Sequence, residues 1–476
     1  MRWSTRRTLA RRIYSSLTSS PCNTTKAGPV LAGQPLPSSH PHLLGPKDLT
    51  LGIEAAEYAE RRRQLLEHLE PSSAAVILGY ETRYATNNIF YPFQQATDFF
   101  YLTGFDEPEA AAVLEKLSDK KEKYTLFVRP TDAHSALWEG SRAGLEGART
   151  HFHADNAKTQ KEFTGYYDAT LSRVKQLLVD RPKDINLFAS QHILRPGESQ
   201  LRPLSPIVQK MRWIKSAAEI RIMHQAGQIS GEALIEVMRH TRPGMSEDLL
   251  ASRMEWECRK RGAKGLSYVP VVAGGRNALT MHYVQNQQCL RDGDLVLMDA
   301  GCSYGGYCSD ITRTWPVNGT FTSPQRDLYE AVLAVQKRCI KMCTEEQAIS
   351  LDEIHNASVK ATVQELANLG WTTNRSVSVE RRLYPHHVGH FLGLDVHDTP
   401  NIGRHLPLKA GCVVTIEPGL YVPDEPQFPK AFRGIGIRIE DDVVVGPTKP
   451  FILSAWAPKE VADLEALCAK GGSGDV

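Results

Sequence analysis

Residues 291–312, RDGDLVLMDAGCSYGGYCSDIT, set two aspartates, Asp299 and Asp310, on either side of a turn that contains glycines. The apolar run 295–298 is too short for a helix and favours a strand. We therefore predict a β-hairpin with a four-residue loop, 303–306, that pairs Asp299 directly with Asp310. The Cβ atoms of directly opposed residues lie roughly 5 Å apart, so two carboxylates there repel each other unless cations lie between them. The hairpin thus predicts a metal site. Because aspartate is also a common turn residue, the prediction needs further ligands from elsewhere in the chain.

A first set of partners lies in residues 386–398, HHVGHFLGLDVHD, which contain His386, His390 and His397. The spacing of the first two histidines could indicate a zinc pair on a helix. The glutamate that follows the first histidine in helical zinc motifs is absent, and Pro385 and the nearby glycines disfavour a helix. We therefore expect these histidines on loops or strands around a preformed site.

Two later stretches add carboxylates. The apolar run VVTIEPGLY, residues 413–421, delivers Glu417 from a strand, where an ionised and unpaired carboxylate costs several kcal/mol. In GIGIRIEDDVVV, residues 434–445, alternation places the isoleucines on one face and Gly436, Arg438 and Glu440 on the other. Arg438 and Glu440 should therefore enter the site together.

Each of these buried carboxylates alone could serve a structural ion pair. Together they form a hard, oxygen-rich set that suits Mn²⁺ and, less exclusively, Co²⁺, Fe²⁺ or Zn²⁺. The set comprises Asp299, Asp310, His390, Glu417 and Glu440. Its four negative charges balance two divalent ions. An aspartate, ten intervening residues, a second aspartate and then His, Glu and Glu resemble the ligand signature of the pita-bread metallopeptidases, which include aminopeptidase P, prolidase and methionine aminopeptidase.

The resemblance extends to the first half of the chain. Residues 91–110, YPFQQATDFFYLTGFDEPEA, are similar to the N-terminal domain of aminopeptidase P, which methionine aminopeptidases lack. It implies an α/β (α+β) fold, with a creatinase/aminopeptidase P-type α/β domain over 51–206 and a pita-bread catalytic domain over 207–466. The boundary falls in the Pro-punctuated segment 201–206, and residues 467–476 are expected to be a disordered tail.

Residue roles follow from the same resemblance. It implies that Asp299 holds one Mn²⁺, that His390 and Glu417 hold a second, and that the remaining two ligands bridge both ions. A hydroxide shared by the ions would attack the scissile carbonyl, with Glu417 as general base and proton shuttle. Further implied contacts are His282 and His397 to the substrate carbonyl, His386 near the leaving group, Arg438 to a metal-bound aspartate, and Tyr421 in the lining.

The leader indicates a compartment. Residues 1–20, MRWSTRRTLARRIYSSLTSS, are rich in Arg and Ser and free of acid, which is typical of a mitochondrial transit peptide, the alternative being a disordered basic tail. The junction after Arg12 predicts a mature N-terminus near Tyr14 or Ser15. Residues 21–50 have the composition of a poorly ordered linker. The resemblance is then closest to the mitochondrial Xaa-Pro aminopeptidases and intermediate-cleaving peptidases, in the matrix or associated with the inner membrane.

Composition excludes several other classes. No apolar run approaches the roughly 18 residues that span a bilayer, so we predict no membrane segment. Nine cysteines without a CxxC pair argue against a disulfide framework or structural zinc, and we expect free thiols at Cys302 and Cys308. The first 47 residues carry seven basic and no acidic residues, which leaves a net charge of about −5 for the body and argues against nucleic acid as a partner.

The expected function is a metalloaminopeptidase of family M24B, whose partners are the N-termini of peptides or of imported mitochondrial proteins. The family implies cleavage before proline, whereas the mitochondrial branch removes a bulky N-terminal residue. A prolidase, which takes only dipeptides, would use the same ligands. A non-catalytic binding protein or a creatinase-like amidinohydrolase would lack part of the metal set, which is complete here. Relatives with this N-terminal domain form dimers or tetramers, so a homodimer or homotetramer is implied.

Hydrophobic periodicity predicts the remaining elements. In the first half it predicts strands at 74–78, 111–114 and 124–128 and helices at 53–69 and 166–178. In the second half it predicts helices at 217–239, 247–261, 324–342 and 351–369. Residues 384–445 are expected to be rich in strands.

Overall fold

The computed structural model describes residues 28–29, 31–180, 187–193, 200–371 and 376–470. The chain divides into two compact units, Met1–Ser205 and Pro206–Val476. Residues 1–20, with the predicted junction at Tyr14 or Ser15, lie outside the described ranges. Among the helices in those ranges, none combines the length and the apolar character that a bilayer crossing requires.

The first unit is built on a six-stranded mixed sheet in the order β10-β9-β3-β6-β7-β8, in which β3, β6 and β7 are antiparallel and the outer pairs are parallel. The strands of the first unit are β1 Asp48–Thr50, β2 Ile53–Glu54, β3 Ser73–Leu78, β4 Tyr84–Thr86, β5 Ile89–Phe90, β6 Ala111–Ser118, β7 Lys121–Val128, β8 Asn156–Thr159, β9 Gln176–Leu178 and β10 Leu201–Arg202. Strands β1 and β2, and β4 and β5, form two separate pairs. The helices of this unit are α1 Ala55–Glu67, α2 Thr97–Thr103, α3 Ala133–Glu139, α4 Gly144–Thr150, α5 Phe163–Arg173 and α6 Ser190–Ile193.

Two sequence predictions are wrong in this unit. The helix expected over 166–178 ends at Arg173, and Gln176–Leu178 instead form β9 beside β3, because Leu177 and Leu178 are buried in the sheet. The linker expected over 21–50 is packed from residue 31 onward. Three of its apolar side chains, Ala32, Leu36 and Leu44, are almost fully buried. Burial of apolar side chains therefore overrides the loop-like composition.

The second unit contains four small sheets, ordered β11-β14-β15, β12-β13-β16, β17-β20-β21 and β18-β19. Its strands are β11 Gly265–Leu266, β12 Val271–Gly274, β13 Leu295–Asp299, β14 Cys302–Tyr304, β15 Tyr307–Cys308, β16 Thr312–Pro316, β17 Val413–Ile416, β18 Gly419–Tyr421, β19 Gly436–Arg438, β20 Asp441–Val444 and β21 Phe451–Ile452. Its helices are α7 Ser205–Trp213, which begins at the boundary, α8 Ala217–His240, α9 Glu247–Lys260, α10 Ser323–Met342, α11 Leu351–Asn368, α12 Ser376–Arg382 and α13 Val461–Lys470.

The long helices of this unit begin and end within one residue of their predicted bounds. Local capping explains the agreement, since Ser216, Ser246 and Ser350 each accept a backbone N–H of the first turn at the N-cap. The expected disordered tail is wrong over 467–470, which continue α13, and its remainder lies outside the described residues.

The hairpin that carries the two aspartates has a different register from the predicted one. Tyr304 pairs with Tyr307, so the loop consists only of Gly305 and Gly306, whose φ angles are +58° and +86°. Two successive positive φ angles are typical of the tight hairpin turns that match strand twist. Asp299 consequently pairs with Thr312 rather than with Asp310. Asp310 occupies the diagonal position, which is still on the same face of the sheet.

Candidate metal centre

Asp299 and Asp310 converge on one hydroxyl group despite the shifted register. The hydroxyl of Tyr268 lies 2.6 Å from Oδ1 of Asp299 and also contacts Oδ1 of Asp310. Burial, together with these two carboxylates, raises the pKa of Tyr268 well above its usual value, so the hydroxyl stays protonated. The aspartates therefore share a site. Nothing in the local sequence SYVP distinguishes this tyrosine from an ordinary core aromatic residue.

Arg438 orients the first aspartate, as the resemblance implies. Its Nη2 donates to Oδ2 of Asp299 at 2.7 Å, and its other nitrogens donate to Thr312 Oγ1 at 3.0 Å and to the Tyr421 hydroxyl at 2.9 Å. The guanidinium is only 4% exposed. Three fixed partners hold it in one plane, so both oxygens of Asp299 are assigned, one to Arg438 and one to Tyr268.

Asp310, His390 and Glu440 form the tightest cluster. One ligand atom from each lies within 4.8 Å of the others, which is close enough for one divalent ion to contact all three. His390 Nε2 lies 3.5 Å from Asp310 Oδ2 and 3.6 Å from Glu417 Oε1. The other ring nitrogen, Nδ1, lies 3.1 Å from the Phe391 carbonyl oxygen, an arrangement that leaves Nε2 free to act as a ligand.

The histidine segment is held beside the strand that ends at Glu417. It is neither helix nor strand at His386 and His390, as predicted. A Cβ atom on Gly389 would lie 1.9 Å from the Thr415 carbonyl oxygen, so only glycine permits this approach. His390 N–H donates to Thr415 Oγ1 at 3.1 Å, and Glu417 N–H donates to the Val388 carbonyl at 2.8 Å. Strand β17 thereby places the imidazole and the glutamate on the same side of the site.

The electrostatics indicate missing positive charge. Burial first, and then neighbouring carboxylates, raise the pKa of Asp299 and raise that of Glu440 well above its usual value. Burial likewise raises the pKa of Glu417 to about 7. Burial is the largest effect on Asp310 and raises its pKa, but His390, Tyr268 and Asp299 together lower that pKa below its usual value. His390 itself has a pKa raised to about 9 by Asp310 and Glu417, against the effect of burial. The raised pKa values mean that these buried groups bind protons, which offset the negative charge of the site. Divalent cations would offset the same charge, and the oxygen-rich donor set fits them.

The three remaining histidines lie at different depths. His386 Nε2 is 2.9 Å from the Tyr421 hydroxyl, and its Nδ1 is 3.9 Å from Glu417 Oε2. Burial, followed by Arg438, lowers its pKa to about 3, so this ring is neutral. His397 is exposed, and its ring centroid lies 4.5 Å from that of His390. Partial burial lowers the pKa of His397, and the nearby His390 lowers it further. His282 is also exposed.

A second group of buried charges, the Arg313 ion cluster, adjoins Glu440 and comprises Arg313, Asp441 and Lys459. Arg313 Nη2 donates to Asp441 Oδ1 at 2.7 Å, and Lys459 Nζ contacts Asp441 Oδ2. Arg313 Nη1 also donates to the carbonyl oxygens of Thr312, at 2.9 Å, and of Glu440. The cluster thus fixes the backbone on both sides of the site. Arg313 lies in the strand TRTWP and Asp441 in the strand DDVV, so the local sequence gives little sign of the cluster.

Comparison with known proteins identifies similar chains over both units. Residues 221–447 match the profile described as Metallopeptidase family M24, and residues 58–179 match Aminopeptidase P, N-terminal domain. The chain is 42% identical to Xaa-Pro aminopeptidase 3 of Homo sapiens, covering 92% of this chain and 90% of that protein. It is 37% identical to Intermediate cleaving peptidase 55, mitochondrial, of Arabidopsis thaliana, with coverages of 91% and 87%. The crystal structure of the Saccharomyces cerevisiae intermediate cleaving peptidase, lacking its N-terminal 58 residues, matches with a TM-score of 0.83 and 41% identity, covering 89% of this chain and 100% of that one.

Proposed function

Because the chain belongs to metallopeptidase family M24 and is a metalloaminopeptidase, we propose that it removes one N-terminal residue from peptides by means of two divalent metal ions. Mn²⁺ is the ion that the oxygen-rich donor set favours. The observation that carries the proposal is the cluster of Asp310, His390 and Glu440, whose ligand atoms lie within 4.8 Å of one another next to Asp299 and Glu417.

The two oxygens of Asp310 support a bridging role. Oδ1 contacts the Tyr268 hydroxyl that also contacts Asp299, whereas Oδ2 faces His390. One carboxylate therefore faces both halves of the site. We assign Asp299 to one ion, His390 and Glu417 to the other, and Asp310 and Glu440 to both. Divalent ions bound there would lower the pKa of water and polarise the scissile carbonyl.

Proton transfer falls to Glu417. Its carboxylate lies beside His390 and His386, where it could take a proton from the attacking water and then give it up. The proton goes to the leaving nitrogen, which departs as an amine. His386 is neutral and lies between Glu417 and the Tyr421 hydroxyl, so it can hold the leaving-group side in place. His282 and His397, both exposed, would donate hydrogen bonds to the carbonyl oxygen as charge develops on it.

For the substrate and compartment, the named relatives guide the proposal. They include a mitochondrial intermediate cleaving peptidase and an Xaa-Pro aminopeptidase. Together with the Arg-rich, acid-free leader, this similarity favours imported mitochondrial proteins, trimmed by one residue at their new N-termini. Such substrates are long chains. A prolidase would instead require dipeptides, and a peptide of five or more residues separates the two activities.

The test is Glu417→Ala assayed on a long peptide with Mn²⁺ present. We expect a loss in kcat of ~10²–10⁴-fold, because the general base and one ligand disappear together. Glu425→Ala is the control, since Glu425 is a partly exposed glutamate paired with Arg382. Chelation of the wild type should abolish turnover, and added Mn²⁺ should restore it. Full turnover by the metal-free protein, or cleavage of Xaa-Pro dipeptides alone, would contradict the proposal.

A further inference from the structure

A buried carboxylate outside the metal centre collects an unusual number of hydrogen bonds. Glu247, the first residue of α9, is 0% exposed. Its Oε1 accepts the Gly274 N–H and the Asn277 amide, each at 2.8 Å. Its Oε2 accepts the Tyr283 hydroxyl at 2.8 Å and the Gln288 N–H at 2.9 Å. Four donors thus fill both oxygens, and each of these bonds is strengthened by the negative charge.

All four donors belong to one segment, residues 274–288, and that segment carries His282. The segment leaves the end of β12 and returns to the start of α9, where the backbones of Cys289 and Ser246 pair in an isolated antiparallel β-bridge. The neighbours of His282, Met281 and Tyr283, pack against a small apolar cluster that includes Tyr421. Within the described residues the His282 ring makes no hydrogen bond, so its direction is set by the backbone that Glu247 holds.

We propose that Glu247 is a positioning residue that acts through His282: it fixes residues 274–288 so that the imidazole meets the carbonyl oxygen of the substrate. This inference rests on the proposed function for the role of His282. A glutamate at the first position of a helix could instead serve only the helix dipole. The two roles differ in their consequences, because a dipole contribution affects stability alone and does not depend on His282.

The decisive experiment is a double-mutant cycle of Glu247→Gln and His282→Ala, with kcat and KM measured on the long peptide. Glutamine replaces one acceptor oxygen by an amide donor, which then faces two donors of the segment. We expect Glu247→Gln to lower kcat by about 10–100-fold with little change in KM, the size typical of supporting residues. In the His282→Ala background the same change should have almost no further effect.

Glu257→Gln is the matched control. Glu257 lies on the same helix and is also 0% exposed, but its partners are Arg253 and Arg261 rather than residues 274–288. We expect it to lower the melting temperature while kcat changes less than twofold in either background. Bound Mn²⁺ per chain should equal that of the wild type in both variants. An equal loss in kcat for Glu247→Gln with and without His282 would overturn the proposal.

Hydrogen exchange of residues 274–288 gives a readout that needs no activity. Glu247→Gln should accelerate exchange in this segment, and Glu257→Gln should not. A wild type that cleaves no peptide would refute the proposed function, while the exchange result would still decide whether Glu247 holds the segment. If Glu247→Gln does not fold, Tyr283→Phe removes a single donor and should give a smaller loss in kcat that again depends on His282; no loss would overturn the proposal.

Discussion

Glu440 and Asp441 are neighbours in the sequence and are almost equally buried, at 1% and 0% exposure, yet their surroundings are opposite. Asp441 is contacted by Arg313 and Lys459, which lower its pKa well below its usual value although burial raises it. Burial and the neighbouring carboxylates Asp310 and Glu417 raise the pKa of Glu440 well above its usual value. One acid is neutralised within the fold, and the other depends on cations from outside it.

The contrast separates a structural ion cluster from a functional one. Buried charges cost free energy unless they are paired and hydrogen bonded. The Arg313 ion cluster meets this condition with two cations around one carboxylate, supported by hydrogen bonds from Gln336 and Ser454 at 2.7 Å each. The candidate metal centre has four carboxylates against the guanidinium of Arg438 and the imidazole of His390, whose raised pKa keeps it protonated near neutral pH. Burial alone would not have distinguished the two clusters; the amount of internal counter-charge per carboxylate does.

The largest difference between Asp441 and Glu440 should appear when each acid is neutralised in turn and stability is measured in the presence of chelator. Asp441→Asn should lower the free energy of unfolding by about 3–5 kcal/mol, because it leaves the buried Arg313 and the partly buried Lys459 without their partner. Glu440→Gln should cost nothing or stabilise the metal-free protein, because a neutral amide replaces a carboxyl group whose raised pKa makes its ionised form unfavourable there. Urea denaturation checks both values. Equal losses for the two variants would show that Glu440 is also neutralised within the fold.

The stability of the metal-free protein should also depend on pH, with a smaller effect than the substitution of Asp441. The pKa of Glu417 is raised from near 4.5 to about 7 and that of His390 from near 6.5 to about 9. A raised pKa means that the folded state binds the proton more tightly, so the stability it contributes is complete below the unfolded pKa and is lost as pH rises through the folded one. The metal-free protein should therefore lose stability between pH 4.5 and about 9, first through Glu417 and then through His390.

The measurement is the melting temperature across that range with chelator and with Mn²⁺. Bound ions compete with protons for the same ligands, so Mn²⁺ should remove or reverse the decline. Glu417→Gln in chelator is the control and should flatten the slope between pH 4.5 and about 7. Asp441 does not interfere, because a lowered carboxylate pKa affects stability only as the pH falls below its usual value. A chelated wild type that gains stability over this interval would show that the centre is not deficient in positive charge.

The smallest effect should come from Tyr268→Phe, which removes the hydroxyl between Asp299 and Asp310. A hydrogen bond to a charged group contributes about 1.5–3 kcal/mol, so the metal-free variant should lose an amount in that range. With Mn²⁺ bound the loss should shrink, since the ions then hold both carboxylates. Urea denaturation with and without Mn²⁺ measures the difference. A loss that does not change with Mn²⁺ would show that the hydroxyl stabilises the fold independently of metal, as the Arg313 ion cluster does.

The sequence alone was sufficient for the family and the fold class, which the TM-score of 0.83 confirms. It also predicted the helices α8–α11, because capping and periodicity are properties of neighbouring residues. The side chains proposed as ligands could be named because each carries an acid or imidazole into an apolar stretch. Their roles stay proposals, supported by the contacts of Asp310 and His390 with the rest of the cluster.

Only the tertiary structure decided the register of the hairpin, the pairing of β9 with β3, and the partners of the two clusters. Arg438 and Asp299 are 139 residues apart, and Arg313 and Asp441 are 128 apart. Tyr268 and Glu247 carry no local pattern that marks them. The physical reason is that turn chemistry and periodicity report interactions within a few residues, whereas counter-charge and buried hydrogen bonds depend on which distant strands meet.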